Sequence, residues 1–284
     1  MQNSDVSPIT RQVVEAMAKT ENPRLKRIME SLVLHLHAFA LEVDLTRPEL
    51  DIALDFLNEI GKSTNDSHNE AVLLSDVLGL SSLLCDGDPD LAEEAEALLG
   101  PFWRLNSPPT PNGASICRSE TPGPRLLVKG HVIDEKQQPI AGVEIDVWQA
   151  SPVGLYENQD QGQADMNLRG KFVSDANGDF GFESVLPAGY PVPTHGPTGG
   201  LIKAQGRHPF RPAHLHFLLW KPGLETRISQ VFVHDDPYIG TDVVFGVTPG
   251  LIGDYAKQPD GSYLLERSFI LHPGEAFLPK PPIQ

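Results

Sequence analysis

The chain has little cysteine, little tyrosine and few basic residues, and each scarcity narrows what it can be. Two cysteines, Cys85 and Cys117, in 284 residues cannot build a disulfide framework, and they lack the paired spacing of a cysteine zinc module. Lys and Arg total 22 against 38 Asp and Glu, for a formal net charge of −16. That balance excludes the basic surface that nucleic acid or an anionic membrane requires, and a small uncharged or weakly acidic substrate suits it better. No apolar run approaches the roughly 20 residues of a membrane-spanning helix. No charged start followed by an apolar stretch marks a leader, so a cytoplasmic location without membrane insertion is expected. Internal repeats and low-complexity tracts are absent apart from PKPPIQ, which reads as an extended terminus.

What is present falls into two halves written in different periods. Residues 1–105 carry helix-start signals. Ser7-Pro8, Asn22-Pro23 and Asp88-Pro89 each set a capping side chain before a proline, while Thr46 to Glu49 and Ser67 to Glu70 have capping-box spacing. Five helices are expected from these signals. Leu25, Ile28, Leu32, Leu36 and Phe39 recur at helical spacing as an apolar stripe. After Gly100-Pro101 the chain turns to loop residues and then to short strands. Val143, Ile145 and Val147 alternate with Glu144, Asp146 and Trp148, and Asn177-Gly178 is a strong hairpin signal. The Asp-rich DANGD lacks the glycine and glutamate positions of a calcium loop and reads as a turn. The expected fold class is α+β: an all-helical domain over 1–105 and an antiparallel β-sandwich over 106–284.

The tripeptide His-Leu-His occurs twice, at 35–37 and 214–216. On the helix, His35 and His37 lie about 200° apart around the axis, so one packs and the other is solvated. On a strand, side chains two apart share a face, so His214 and His216 project together while Leu215 and Phe217 pack on the other side. That pair can chelate, but pairing alone does not choose the metal. The cupin pattern wants a glutamate three or four residues further on, and here the next acid is Glu225. Tyrosine, with only five copies, supplies two more candidates: Tyr156 at the end of WQASPVGLY and Tyr190 in LPAGYPVP. Taken without the histidines, each reads as an amphipathic residue at a rim.

The runs LLVKGHVIDEKQQPIAGVEIDVWQASPVGLY and RPAHLHF closely resemble the signature of intradiol ring-cleavage dioxygenases. The first half, with LLSDVLGLS and LLGPFWR, is similar to the helical domain of the catechol and hydroxyquinol branch, so the resemblance covers almost the whole chain. It implies one iron(III) per subunit, held by Tyr156, Tyr190, His214 and His216. Hard phenolate oxygens suit a trivalent ion. It also implies that Tyr190 takes a proton from the diol, that Arg211 stabilises charge building on the ring, and that Gln230 orients the reacting species. LLSDVLGLS, LLGPF, DMNLRG, YPVPTHGPTGG and GRHPFRPAH look more like the hydroxyquinol enzymes. In that comparison the substrate pocket comprises Leu73, Asp76, Leu99, Gly100, Pro101, Phe102, Val192, Pro193, Arg211 and Val244.

The expected activity is therefore cleavage of hydroxyquinol with dioxygen between its adjacent hydroxyl-bearing carbons, giving 3-hydroxy-cis,cis-muconate/maleylacetate in aromatic degradation. The alternatives are catechol or chlorocatechol as substrate or, in another class, a β-sandwich binding module without catalysis. The resemblance further implies a homodimer joined through the helical domain, with a phospholipid at the junction. The apolar excess of HLHAFALEV and AVLLSDVLGLSSLL fits that reading.

Overall fold

The computed structural model describes residues 7–85 and 87–283. It divides into two compact units between Asn58 and Glu59. The boundary expected near residue 105 thus lies inside the second unit, and residues 59–105 belong with the strands.

Helices α1 (Pro8–Ala16), α2 (Pro23–Glu42) and most of α3 (Arg47–Ser63) make the first unit. Their starts follow the capping chemistry. Ser7 accepts from the Thr10 amide at 3.2 Å, Asn22 accepts from Arg24 and Leu25, and Glu49 accepts from both the amide and the hydroxyl of Thr46. His37 is tied to Thr10 at 2.8 Å while His35 is exposed, as its helical position predicts. No residue of α2 is buried, and its stripe of Leu25, Ile28, Leu32, Leu36 and Phe39 is exposed.

The second unit opens with α4 (Glu70–Val77) and α5 (Leu80–Leu83). The cap of α4 is Asn69 rather than Ser67, because Glu70 is drawn away to His68 and to the amide of Thr198. Asp88-Pro89 starts no helix. Asp88 instead accepts from the amide of Asp90 in a tight turn.

Eleven strands follow among the described residues. A four-stranded sheet has the order β10 (Tyr255–Lys257), β11 (Tyr263–Ile270), β1 (Arg125–Ile133), β4 (Asp179–Val185). A five-stranded sheet has the order β3 (Arg169–Val173), β2 (Glu144–Gln149), β7 (His214–Trp220), β8 (Arg227–Val233), β9 (Ile252–Gly253). A separate ribbon pairs β5 (Tyr190–Pro191) with β6 (Phe210–Arg211). Most pairings are antiparallel, but β1 with β11 and β8 with β9 run parallel. The expected Asn177-Gly178 hairpin is not formed. Gly178 has φ +79° in a tight turn, but β3 and β4 on either side belong to different sheets. The turn chemistry was legible, whereas the partner of each strand depends on distant residues. A short helix, α6 (Pro197–Ala204), links the ribbon strands.

Alternation along β7 and β2 decides where chemistry can sit. Leu215, Phe217, Leu219, Ile145 and Val147 fill the core between the sheets, with Val128, Phe180, Phe182 and Phe269 from the other side. The opposite face of the five-stranded sheet is not left to water. Trp148 and Leu218 are roofed there by Phe102, Trp103, Tyr156, Tyr190 and Ile283. For that reason Asp146, which alternation alone would place in solvent, is buried and accepts from Trp103 Nε1 at 3.2 Å.

Burial raises the Asp146 carboxyl to about 6, against the nearby Lys171 charge and the Trp103 hydrogen bond. The folded pKa lies above the unfolded one, so the native state holds the extra proton between about pH 4 and 6 and stability falls as pH rises through that window. Asp146→Asn keeps an acceptor for Trp103 and removes the buried charge. It should raise stability at pH 7 by up to about 3 kcal/mol, with the gain vanishing below about pH 4. Urea unfolding of both proteins at several pH values measures this.

Candidate active site

The site lies on the roofed face of the five-stranded sheet. Register builds its floor: on β7, His216 stands between Trp148 of β2 and Gln230 of β8, and His214 stands beside Phe232. Trp148 stacks on His216 with centroids 4.6 Å apart and planes 11° apart, which fixes the imidazole. His214 is fixed by its own chain, since Nδ1 lies 2.6 Å from the Pro212 carbonyl. The N–H must therefore be on Nδ1, which leaves a lone pair on Nε2 pointing into the site.

Loops bring the phenols. Tyr156 follows the turn after β2, and its amide donates to Gln159 Oε1 at 3.0 Å. The glycine of Gly-x-Tyr has a steric reason. Gly154 has φ +78°, and a Cβ there would lie 3.2 Å from the Gly189 carbonyl and 3.3 Å from Tyr190 Cβ. Only glycine lets the two tyrosine-bearing segments come together. Tyr190 sits on β5, in register with Arg211 on β6.

The four side chains converge. Tyr156 Oη lies 3.3 Å from Tyr190 Oη and 3.1 Å from His216 Nε2, and the two Nε2 atoms are 3.0 Å apart. All four residues are at most 2% exposed. Burial pushes both phenols above their ordinary range, and it holds both imidazoles well below theirs with help from Arg211 and, for His216, from His214. His216 Nδ1 has no partner among the described residues.

Such a cluster turns several oxygen and nitrogen lone pairs toward one point, and the Arg211 guanidinium reaches it at His214 Nε2. Spacings near 3 Å are those of neighbouring ligands around one ion with bonds of about 2 Å. Neutral imidazoles are ready donors, and an ion of high charge would reverse the effect of burial on the phenols. No group of three or more His, Cys, Asp or Glu placed for a metal occurs among the described residues, so only the tyrosines can complete a set with the histidine pair. The residues present fit a hard, highly charged metal ion.

Arg211 stands beside this cluster, buried, with Nη1 3.2 Å from His214 Nε2 and Nη2 donating to Gln230 Oε1 at 2.8 Å. Gln230 is pinned in turn by donating to the Leu98 carbonyl at 2.7 Å. Nothing in the sequence pointed to the partner that aims the guanidinium, Asp242. Asp242 accepts from Arg211 Nε at 3.2 Å and Nη2 at 3.1 Å, and from the amides of Val244 and Gly246. Burial alone would lower the pKa of Arg211, but the Asp242 carboxylate raises it above its usual value. The arginine is therefore a fixed, permanent cation.

A cavity of about 900 Å³ opens beside the cluster. Asp76, Leu99 and Gly100 line it. Gly100 has φ +73°, and a Cβ there would lie 3.5 Å from His216 Cε1, so the cavity wall abuts the imidazole. Phe102 stacks on Tyr156 at 4.4 Å, and Pro101 beside it is buried. Leu73, Val192 and Val244 are not in the cavity wall but pack together with Leu98 in a separate apolar cluster, and Pro193 is half-buried. Asp76 is 2% exposed, and burial raises its carboxyl to about 6 against a Ser81 hydrogen bond and the Arg211 charge.

Comparison with known proteins gives the family. Residues 99–272 match the family model described as Dioxygenase, and residues 22–95 match Catechol dioxygenase N terminus. The chain is 40% identical to a 6-chlorohydroxyquinol 1,2-dioxygenase of Cupriavidus pinatubonensis, over 96% of this chain and 99% of that protein. It is also 40% identical to a hydroxyquinol 1,2-dioxygenase of a Rhizobium species, over 90% and 88% of the two chains. The solved hydroxyquinol 1,2-dioxygenase from Pseudomonas putida DLL-E4 superposes with a TM-score of 0.82 at 34% identity, covering 94% of this chain and 98% of that one. With helical and sandwich parts both matched, this chain belongs to the intradiol ring-cleavage dioxygenase family.

Proposed function

We propose that the protein opens hydroxyquinol between its adjacent hydroxyl-bearing carbons with dioxygen, at one iron(III) per subunit held by Tyr156, Tyr190, His214 and His216. The observation that carries this reading is the buried convergence of two phenols and two imidazoles at 3.0–3.3 Å. When bound, iron(III) supplies Lewis acidity toward the two diol oxygens and the electronic link between ring and dioxygen. The residues do the rest. Tyr190 Oη, as the phenolate that a bound ion would favour, would take a proton from the diol; burial raises its proton affinity and the Arg211 cation beside it offsets part of that rise. Arg211, locked by Asp242 and Gln230, presents a cation where negative charge builds on the ring during oxygen attack, so no reorganisation is needed at that moment. The roof of Phe102 and Trp103 over Trp148 keeps water from the donors.

Asp76 supports hydroxyquinol over catechol. It is a buried carboxyl that lines the cavity with Val72, Ser81, Leu98 and Leu99, and the third hydroxyl of the substrate can donate to it. The names of the two relatives at 40% identity point the same way. Catechol and chlorocatechol remain the second reading, with the same site and no use for Asp76. Oxygen uptake with hydroxyquinol, catechol, chlorocatechol and protocatechuate on the iron-loaded protein should show hydroxyquinol preferred. Asp76→Ala should lower the hydroxyquinol-to-catechol ratio of kcat/KM by roughly ten- to a hundredfold, as expected for a charge-assisted hydrogen bond. Equal loss on both substrates would make Asp76 structural, and no loss would remove the polar contact from the account.

The same reading includes a cytoplasmic homodimer joined through α2 and α3, with a phospholipid at the junction. Its support is the exposed stripe of Leu25, Leu32, Leu36 and Phe39 on α2, together with Leu50, Leu54 and Leu57 on α3. Sedimentation should give a dimer that Leu32→Glu with Leu36→Glu converts to monomer, and organic extraction followed by mass spectrometry should release a phospholipid. A lipid-free monomer from the unaltered chain would contradict this.

A further inference from the structure

The stretch FLPKPPI, residues 277–283, has neither helix nor strand, and it does not trail into solvent as an extended terminus would. Pro279, Pro281 and Pro282 remove three backbone donors and restrict φ, so the segment is a stiff extended strap that needs few hydrogen-bond partners. One side chain anchors its start. Thr226 Oγ1 donates to the Phe277 carbonyl and accepts from the Phe277 amide at 3.0 Å. Its other end is a plug: Ile283 is 2% exposed and packs in the same apolar cluster as Phe102, Tyr156, Tyr190 and Leu218. Between anchor and plug, Lys280, Pro281 and Pro282 border the cavity that also holds Asp76 and Gly100.

The cavity wall is mixed, with Glu225, Thr226, Glu275 and Lys280 lining it near the strap as well as Asp76 and Ser81 farther along. Asp76 and Ser81 supply polar atoms, whereas Leu99, Ile228 and Ile283 supply carbon only. Leu99, Ile228 and Ile283 are the members of this wall that pack with Tyr156 and Tyr190, so the wall is apolar on the side of the four donors. Ile283 is the one of these three that belongs to no sheet, helix or core loop, and it is held mainly by its own side chain.

We propose that the strap of residues 277–283 is a substrate-contacting wall and that Ile283 sets the size of the apolar ring substituent the enzyme accepts. The inference rests on the diol-cleaving site proposed above, but not on hydroxyquinol being the preferred diol. Its test therefore uses a series of catechols bearing methyl, isopropyl or tert-butyl at the ring position para to one hydroxyl. In Ile283→Ala, kcat/KM for tert-butylcatechol relative to catechol should rise by about tenfold or more, the scale of discrimination set by a few methylene groups in an apolar pocket. Deleting the residues from Leu278 onward should raise the ratio at least as far, with the Thr226 anchor left in place. A second readout needs no turnover. Under nitrogen, catechol added to the iron-loaded protein should slow amide hydrogen exchange at Leu278, Lys280 and Ile283 by about fivefold or more, because a ligand seated against the strap favours its closed state.

A ratio within about twofold of the unaltered enzyme in Ile283→Ala, or strap exchange unaffected by catechol, would overturn the proposal. If neither catechol nor hydroxyquinol is opened by the unaltered enzyme, the failure lies in the site reading and not in the strap. A deletion variant that does not fold leaves Ile283→Ala and the exchange measurement to decide.

Discussion

Four lone-pair donors crowded into a dry space are the constraint around which this fold is arranged. Phenol and imidazole groups 3.0–3.3 Å apart, driven toward neutral forms by burial, turn their donor atoms toward one space, an arrangement that a positive ion would satisfy. The architecture holds them there from three independent directions. The β2–β7–β8 register carries the histidines between Trp148 and Gln230, the Gly154 turn carries Tyr156, and the β5–β6 ribbon carries Tyr190 together with Arg211. A one-residue slip of β7 would turn both imidazoles into the inter-sheet core and Leu215 and Phe217 into the site. The hydrophobic pattern that forms the sandwich is thus also what aims the ligands.

The permanent charges follow from the same arrangement. A cation beside the proposed metal site must be kept from occupying it, and Arg211 is restrained by a two-point bond to Asp242 and a third bond to Gln230. Asp242 in turn is satisfied by backbone amides, so the pair is buried without leaving an unpaired ion. The result is a positive charge held with Nη1 3.2 Å from His214 Nε2. Asp76 adds a second, weaker electrostatic mark within range of that cation, and its elevated pKa reflects how little water reaches it.

Much of this was legible in the residues, and the exceptions have physical causes. The two His-Leu-His copies separated correctly because strand and helix periods differ, and that depends only on local geometry. Helix starts at Ser7, Asn22 and Thr46 held for the same reason. Asp88-Pro89 did not, since the Ala97 amide donates to the Ile228 carbonyl and the Glu94 and Ala95 carbonyls accept from Arg227 and Ser229, distant partners that take these backbone groups out of a helix. Asn177-Gly178 specified its turn and not its strand pairing. Asp242 lies in GTDVVFGV, which has no ligand-like spacing; its role exists only because folding brings it to Arg211. PKPPIQ looked like a loose end because composition reports stiffness and polarity, whereas Ile283 is buried by a roof that only tertiary structure assembles. Its last residue, Gln284, lies outside the described residues. The roof also explains why Asp146 and Trp148 are buried on a strand whose alternation implied one wet face.

The most direct test of the account is vibrational. Phenolate bound to iron(III) absorbs visible light by ligand-to-metal charge transfer, which zinc and ferrous sites do not. Resonance Raman spectra of the purified protein, excited in that band, should show enhanced tyrosinate ring modes. Tyr156→Phe and Tyr190→Phe should each remove a distinct part of them, and His37→Ala should leave the spectrum unchanged. A fully active, metal-loaded protein with no visible band and no tyrosinate modes would contradict the four-donor site on which the account rests.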